Sequence, residues 1–335
     1  MLKKTLFGLA VATLMLGCVA APSKQTSASV TKAQSEMIVP GDNASYFYAD
    51  GFGDSQVTAQ NDALAKIAAR ISVSVKSQSE ANLSVTMKDG DETIDQTYRN
   101  QVLTQTQNID FIGVEVFDQQ TVGAQVQVLV RVNRPALVQH YRNKLNTAHG
   151  QLDNDFKLYK NTSLFEQLKN SRAVLNQSAD LTSILSILQV LQPQFSEPKV
   201  TGLTQAIYQH MSEQKQNAVF VVAADANSQA LAKLIEQQLT AENYKVAKTG
   251  NIKIQLTTNA TPVSVRTTDA RVASLKMVNR DTSMTVTDAQ NRTVSKRNVK
   301  TRGVSPQSEQ AAVQDTTPYS RLMGDKSIID FISGQ

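Results

Sequence analysis

The sequence predicts an α+β protein with a small antiparallel-sheet-plus-helix domain, a helical middle region and a second α+β domain. Three observations support this fold class. Segments of alternating apolar and polar residues lie on both sides of a block in which apolar residues recur every three or four positions. Short turn-like connections between the predicted strands favour antiparallel pairing. The length of 335 residues suits two modest domains and their connections.

The first residues have the pattern of a bacterial lipoprotein signal peptide. Lys3 and Lys4 precede an apolar run shorter than the ~20 residues that a membrane-spanning helix needs, and Gly17-Cys18 follows. The ending Leu14-Met-Leu-Gly-Cys18 resembles a lipobox, with Met15 where leucine is usual. We therefore expect residues 1–17 to be a signal peptide and Cys18 to carry covalent acyl chains such as palmitate. An ordinary signal peptide cleaved nearby, with a chance cysteine, is the alternative.

Residues 18–44 are expected to be a lipidated cysteine and a flexible tether. Cys18 is the sole cysteine of the sequence, which excludes an internal disulfide. The tether is expected from Val19 to about Pro40, because the stretch from Ala21 to Glu36 has almost no large apolar residue, and about twenty such residues reach ~25 Å. Val19, rather than aspartate, follows the cysteine, and resemblance to lipoprotein sorting in enteric-type bacteria implies the periplasmic face of the outer membrane.

The first domain, residues 45–134, is predicted to pack one helix on an antiparallel sheet. Apolar residues at helical spacing predict a helix over 54–70, with Asp54 or Ser55 as its N-cap. Asp89-Gly90 predicts a hairpin turn. Alternating apolar and polar residues predict strands at 71–75, 83–87, 94–103 (where a helix is the alternative), 109–117 and 122–132.

The middle region, residues 135–215, is predicted to be helical. Ser163 and Glu166 have the spacing of a capping box, and a later helix stops before Pro193. A bundle packed between the domains and an interface between copies of the chain are both compatible with the pattern. The four helices are predicted at 135–152, 163–176, 181–191 and 200–214.

The last domain, residues 216–335, mixes helices and strands. Asp225 is predicted to cap a helix, and Ser305 a second one with Pro306 at its first position. A short final helix contains Ile328, Ile329 and Ile332. Strands are predicted at 218–222, 244–247, 252–256, 262–265, 272–278, 284–287 and 293–301.

Gly51-Phe-Gly53 has the outline of a dinucleotide-binding loop. Such a loop needs a third small residue, and Gln56 stands in that position. Asp50 and Asp54 would also compete with a phosphate for the amides at the start of the helix. We therefore expect no nucleotide here and predict a tight turn that leads into a capped helix.

The same stretch carries a family resemblance. Gly-x-Gly, an alanine-rich helix with an Ala-Arg pair, Ile112-Gly-Val-Glu-Val116 and Gln127-Val-Leu-Val-Arg-Val-Asn-Arg-Pro135 resemble the LPP-twenty lipoprotein family over residues 46–144. The first domain is also similar to that of the flagellar H/T-ring protein. The resemblance implies a lipid-anchored envelope protein with a small α+β domain, and some relatives form rings or discs around the flagellum. It implies no catalytic residue.

Metal binding and nucleic-acid binding are not expected from the histidines, the acidic residues or the net charge. His140, His149 and His210 lie on predicted helices at solvated positions, without the spacing of metal ligands, so neither a metal nor another cofactor is expected. Asp89, Asp91 and Glu92 cluster at the predicted turn but lack the periodic spacing of a calcium loop. The net charge of +5, with Lys3 and Lys4 included, is too weak to suggest nucleic acid.

One basic run stands out, and it contains Arg292, Lys296, Arg297, Lys300 and Arg302. On a strand, Lys296, Lys300 and Arg302 share one face. The run predicts either contact with anionic lipid headgroups or cell-wall carboxylates, through Arg292, Lys296, Lys300 and Arg302, or an edge strand that its charges protect from aggregation.

The sequence favours a non-catalytic lipoprotein at the periplasmic face of the outer membrane with a scaffolding role. Its expected partners are the membrane, copies of itself or other envelope proteins, and peptidoglycan. Two alternatives are a component of a flagellar outer ring or disc and a tethered regulator of a cell-wall synthesis enzyme. An enzyme is disfavoured because no general acid/base pair stands out by spacing.

Overall fold

The computed structural model describes residues 37–87, 92–105, 109–264 and 269–335. The predicted signal peptide, Cys18 and most of the predicted tether lie outside the described residues. Among the described residues, no helix combines the length and the apolar character needed to cross a bilayer. The mixed α+β class is confirmed, with two sheets and a helical middle region.

The chain begins with a three-stranded antiparallel sheet and two helices. The sheet order is β1-β3-β2, and both pairings are antiparallel. A bulge between Val116 and Asp118 interrupts the β2–β3 ladder. The elements are β1 (Tyr46–Gly53), α1 (Gln56–Thr86), α2 (Glu92–Gln105), β2 (Val114–Val122) and β3 (Gln125–Asn133).

Helix α1 is much longer than predicted and replaces the strands predicted at 71–75 and 83–87. Ile67, Ile71, Val75, Ser79 and Leu83 are buried at four-residue spacing, and residues four apart are neighbours on the same face of a helix. Val73 belongs to the alternating pattern but is 74 % exposed. The alternation was therefore local, and the longer helical period determines the structure.

Helix α2 replaces the strand predicted at 94–103, so the helical alternative was right. The Tyr98 hydroxyl lies 3.0 Å from Ser178 Oγ and 2.8 Å from Thr182 Oγ1. These buried hydrogen bonds fix α2 against a later helix. The predicted turn at Asp89-Gly90 lies outside the described residues; the strands that it was predicted to join belong to α1 and α2 instead.

Gly51 and Gly53 belong to β1, which ends at Gly53, so the predicted tight turn into the helix lies at Asp54 and Ser55 rather than at the glycines. A Cβ on Gly51 would overlap the carbonyl oxygen of Ala59 and lie 2.5 Å from the Ala63 nitrogen. Gly51 therefore lets α1 pack directly on the strand. The predicted capped helix is confirmed: Ser55 is the N-cap of α1 and forms a capping box with Thr58.

Three long helices form the middle of the chain. Ser163 caps the second of them, as predicted, because its side chain accepts from the Glu166 N–H. The helices predicted at 163–176 and 181–191 are one continuous helix, in which the hydroxyls of Thr182 and Ser186 donate to carbonyl oxygens four residues earlier. The elements are α3 (Arg134–Lys160), α4 (Leu164–Leu191) and α5 (Pro198–Asn217).

The last part of the chain builds a five-stranded mixed sheet, in the order β5-β4-β6-β7-β8. Strand β4 pairs in parallel with β5 and β6, and the remaining pairings are antiparallel. The strands are β4 (Val219–Ala224), β5 (Lys245–Val246), β6 (Ile252–Val263), β7 (Lys276–Asp288) and β8 (Thr293–Ser305).

Strands β6 and β7 are longer than predicted. The segments predicted as strands at 252–256 and from 262 onwards belong to one strand, β6, which ends at Val263. Strand β7 covers residues 276–288. A short helix precedes β7, where the start of a strand at 272–278 was predicted. Pro262 is compatible with β6 because β4 pairs only with 252–256, so Pro262 has a strand neighbour on one side.

Helices pack on one face of this sheet. Asp225 caps a short 3₁₀ turn that leads into the next helix, and Ser308, rather than the predicted Ser305, caps the helix after β8, because β8 continues to Ser305. The helices are α6 (Gln229–Ala241), α7 (Ala270–Ala273), α8 (Glu309–Val313), α9 (Thr317–Met323) and α10 (Ile328–Ser333). Helix α10 confirms the predicted final helix.

Two large apolar cores run through the described residues. The first contains residues of β1, β3, α1 and α2 together with α3, α4 and α5, so the middle helices share a core with the first sheet. The second lies between the five-stranded sheet and its helices. Phe165 and Leu168, in the first turns of α4, belong to the second core. Helix α4 therefore contributes to both cores.

Candidate functional site

The five-stranded sheet has one covered face and one uncovered face. Along β6, Ile254 and Leu256 are buried in the second core, whereas Lys253 and Thr257 are exposed. Successive side chains of a strand point to opposite faces, so the helices cover the apolar side and leave a polar side to solvent. We call this uncovered side the open face. Its charged members on β6, β7 and β8 are Lys253, Asp281, Lys296, Lys300 and Arg302.

Three of the four residues predicted for anionic contact lie together on the open face. Lys296, Lys300 and Arg302 are exposed and alternate along β8 with residues that point to the covered face. Arg297, from the same basic run, points to the covered face, where its guanidinium lies 4.8 Å from the centre of the Phe331 ring. The predicted face-sharing of the three residues therefore agrees with the geometry of β8.

Arg292 is separate from this group. Its Nε donates to the Asp288 carboxylate at 2.8 Å, and the same carboxylate accepts from the backbone N–H groups of Gln290 and Arg292. Burial is the largest single influence on the Asp288 carboxyl and raises its pKa. The hydrogen bonds and the charge of Arg292 together outweigh burial, so the pKa of Asp288 lies below its ordinary value. Arg292 thus stabilises the turn between β7 and β8.

The open face contains a hollow of about 600 Å³ near the end of β8. Arg302 Nε donates to Asn279 Oδ1 at 3.0 Å, and Lys300 Nζ lies 4.0 Å from Asp281 Oδ2. Asn259, on β6, faces Asp281 across the ladder. The described lining is polar, its exposed charged side chains are Lys300, Arg302 and Asp281, and it suits an anionic group.

Strand β8 is also the last strand in the sheet order. Its exposed cations therefore occupy the edge position that the alternative, charge-protected interpretation requires. Both interpretations of the basic run remain compatible with the same geometry, and binding measurements distinguish them.

A second group of side chains, on the side of the three-stranded sheet that does not face α1, was missed from the sequence. The Arg131 guanidinium lies between two rings, 4.6 Å from the centre of Tyr46 and 4.8 Å from that of Phe117. Glu115 pairs with Arg131 at 2.6 Å, and Tyr48 packs edge-on against Phe117. We call this the aromatic face. The sequence shows that Tyr46 and Tyr48 lie on one face of a strand. It does not show that Phe117 of β2 and Arg131 of β3 lie beside them.

The predicted solvated position is wrong for His210. Its ring packs against Phe156 and Tyr159 at centre distances of 5.6 and 6.0 Å, and its Nε2 lies 2.9 Å from Gln167 Oε1. Burial, and secondarily the charge of Lys160, lower the pKa of His210. Among the described residues, no three side chains of the metal-binding types come together in a group that could hold an ion.

The backbone next to Gly51 is hydrogen-bonded to a carboxylate of the same chain. Asp62, on α1, accepts from the Phe52 N–H at 3.0 Å and pairs with Lys66 at 3.1 Å. The hydrogen bond from Phe52 and the one from Lys66 lower the pKa of Asp62. The amide between the two glycines is therefore engaged by the chain itself.

Comparisons with known proteins do not assign a family. No family model matches the sequence, and no curated protein matches it. Among solved structures, a secreted protein of Helicobacter pylori matches with 20 % identity and a TM-score of 0.40, over 75 % of this chain and 86 % of that chain. A minor lipoprotein of Acinetobacter baumannii matches at 14 % identity and 0.24, over 35 % and 94 % of the two chains. Rare lipoprotein B of Shewanella oneidensis matches at 10 % identity and 0.23, over 35 % and 92 %.

Proposed function

We propose that this chain is a non-catalytic lipoprotein of the cell envelope with a scaffolding role. The proposed anchor is an acylated Cys18, which directly follows a short apolar run and Gly17. Two or three acyl chains bury enough methylene groups for stable attachment, at about 0.8 kcal/mol for each CH₂. The residue after the cysteine, Val19, supports the periplasmic face of the outer membrane as the location.

The observation that carries the scaffolding role is the aromatic face. Tyrosine, phenylalanine and arginine are enriched at protein–protein interfaces, and Phe117 is 52 % exposed beside Arg131. Burial of Phe117 by a partner would remove apolar area from water without breaking the Arg131–Glu115 pair. We propose that the partner is a second copy of the chain, since anchoring in one membrane raises the effective concentration of copies.

Photo-crosslinking in intact cells tests this proposal. A photoreactive amino acid replaces Phe117 in one strain and Leu158 in another; Leu158 is 68 % exposed on α3, away from the aromatic face. The proposal predicts crosslinked dimers from position 117 and none from position 158. Crosslinks from 117 to a cell-wall synthase instead would favour the tethered regulator, and a motility defect on deletion of the gene would favour the flagellar ring or disc.

A further inference from the structure

We propose that the hollow on the open face binds the carboxylate groups of peptidoglycan peptide stems. This inference rests on the proposed envelope location and adds a ligand to the scaffolding role. Peptide stems carry carboxylates and amides on a flexible polymer. The hollow offers cations that can bind the carboxylates and neutral side chains that can form hydrogen bonds with the amides.

Arg302 is the central residue of the proposed site. Its Nε donates to Asn279 Oδ1 at 3.0 Å, which orients the guanidinium plane. Within the part of the chain that the structure describes, the terminal nitrogens of Arg302 make no hydrogen bond or ion pair. A guanidinium held by Nε presents its remaining donors as a planar fork, and a carboxylate accepts two parallel hydrogen bonds from such a fork.

Lys300 adds a second cation on the same strand face. Its side chain is 85 % exposed, and its Nζ is 4.0 Å from the Asp281 carboxylate, which is the outer limit of an ion pair. Exposed pairs of this kind are weak, so an incoming carboxylate can replace Asp281 as the partner of Lys300.

The neutral lining favours a peptide over a bilayer or a nucleic acid. Asn259 and Thr261 on β6 provide amide and hydroxyl groups that both donate and accept hydrogen bonds. Among the described residues, the lining of the hollow contains no aromatic ring on which a base could stack and no apolar side chain that could insert among acyl chains. A narrow, flexible chain enters a concave site more readily than a flat membrane surface does.

Co-sedimentation with purified peptidoglycan sacculi tests the inference on the full-length lipidated protein in detergent. The test variant is Lys300→Gln/Arg302→Gln. The single variant Arg292→Gln is the control, because it removes a cation of the same basic run that lies at the turn, outside the hollow. We expect wild-type protein and Arg292→Gln to sediment with sacculi and the test variant to lose at least tenfold in apparent affinity.

Two further arms identify the chemical group. Sacculi whose carboxylates are blocked by amidation should bind wild-type protein at least tenfold more weakly. Binding to phosphatidylglycerol vesicles but not to sacculi would overturn the inference in favour of lipid headgroups. Equal binding of wild type and the Lys300→Gln/Arg302→Gln variant would also overturn it. Neither result affects the crosslinking at position 117, so failure of the ligand site is distinguishable from failure of the proposed function.

Discussion

Thr258 and Thr282 lie opposite each other on β6 and β7 with their Oγ1 atoms 2.9 Å apart. The contact is the middle of a buried chain of four hydroxyls. Ser228 Oγ lies 2.8 Å from Thr258, and the Tyr319 hydroxyl lies 2.6 Å from Thr282. The chain crosses the covered face of the five-stranded sheet and connects the start of the α6 region to α9.

Thr282→Val should destabilise the protein by about 1–3 kcal/mol. The substitution keeps the side-chain shape but removes the hydroxyl that links Thr258 to Tyr319, and buried polar groups that lose a partner carry a desolvation cost of that size. Denaturant unfolding of the purified protein measures the change. Thr285→Val, on the same strand but on the open face, is the control and should change stability by less than about 0.5 kcal/mol. Equal effects of the two substitutions would contradict the importance of the hydroxyl chain.

Gly51→Ala should destabilise the protein strongly, by about 3 kcal/mol, because the new Cβ would overlap the Ala59 carbonyl and force α1 away from β1. Gly150→Ala is the matched control, since it adds a Cβ within α3 where nothing lies within 4 Å. There the gain in helix propensity should stabilise by about 0.5–1 kcal/mol. The melting temperatures should therefore shift in opposite directions. A tolerated Gly51→Ala would refute the close approach of α1 and β1.

Stability should depend on the protonation of His210. Its folded-state pKa is below its ordinary value of 6.5, since burial disfavours the charged ring and Lys160 repels it. The unfolded chain therefore binds the proton more readily, and the stability that His210 contributes is complete above pH 6.5 and is lost as the pH falls below that value.

His210→Gln isolates this contribution. Between pH 7.5 and pH 5.5, the free energy of unfolding of the wild type should fall more than that of the variant. Denaturant titrations at both pH values provide the comparison, and the carboxylates are common to both proteins. Parallel pH dependence of the two proteins would show that His210 does not titrate in this range.

The sequence predicted the regular elements best where one periodicity extended over the whole element. Helix α3, strand β3 and the final helix followed their patterns. Helix α1 was misassigned beyond Arg70 because Ile71-Ser-Val-Ser-Val75 alternates over five residues, whereas the four-residue spacing of buried side chains continues from Ala59 to Leu83. Helix α4 was predicted as two helices, 163–176 and 181–191, but it is continuous, and Ser178 and Thr182 hydrogen-bond to Tyr98 on α2, a contact that no local pattern contains.

The two surface clusters also differ in whether a local sequence pattern predicts them. The face shared by Lys296, Lys300 and Arg302 follows from the two-residue period of one strand and could be predicted. The separation of Arg292 depends on a turn that Asp288 closes. The aromatic face brings Tyr46, Phe117 and Arg131 together from three strands, so it requires knowledge of the register.

Mass spectrometry of the mature amino terminus shows whether Cys18 carries the proposed lipid anchor. We expect protein purified from membranes to begin at Cys18 and to carry a diacylglycerol-type modification on its sulfur, and we expect the Cys18→Ser variant no longer to fractionate with the outer membrane. A mature protein that begins elsewhere, or an unmodified Cys18, would contradict the lipid anchor and with it the proposed function.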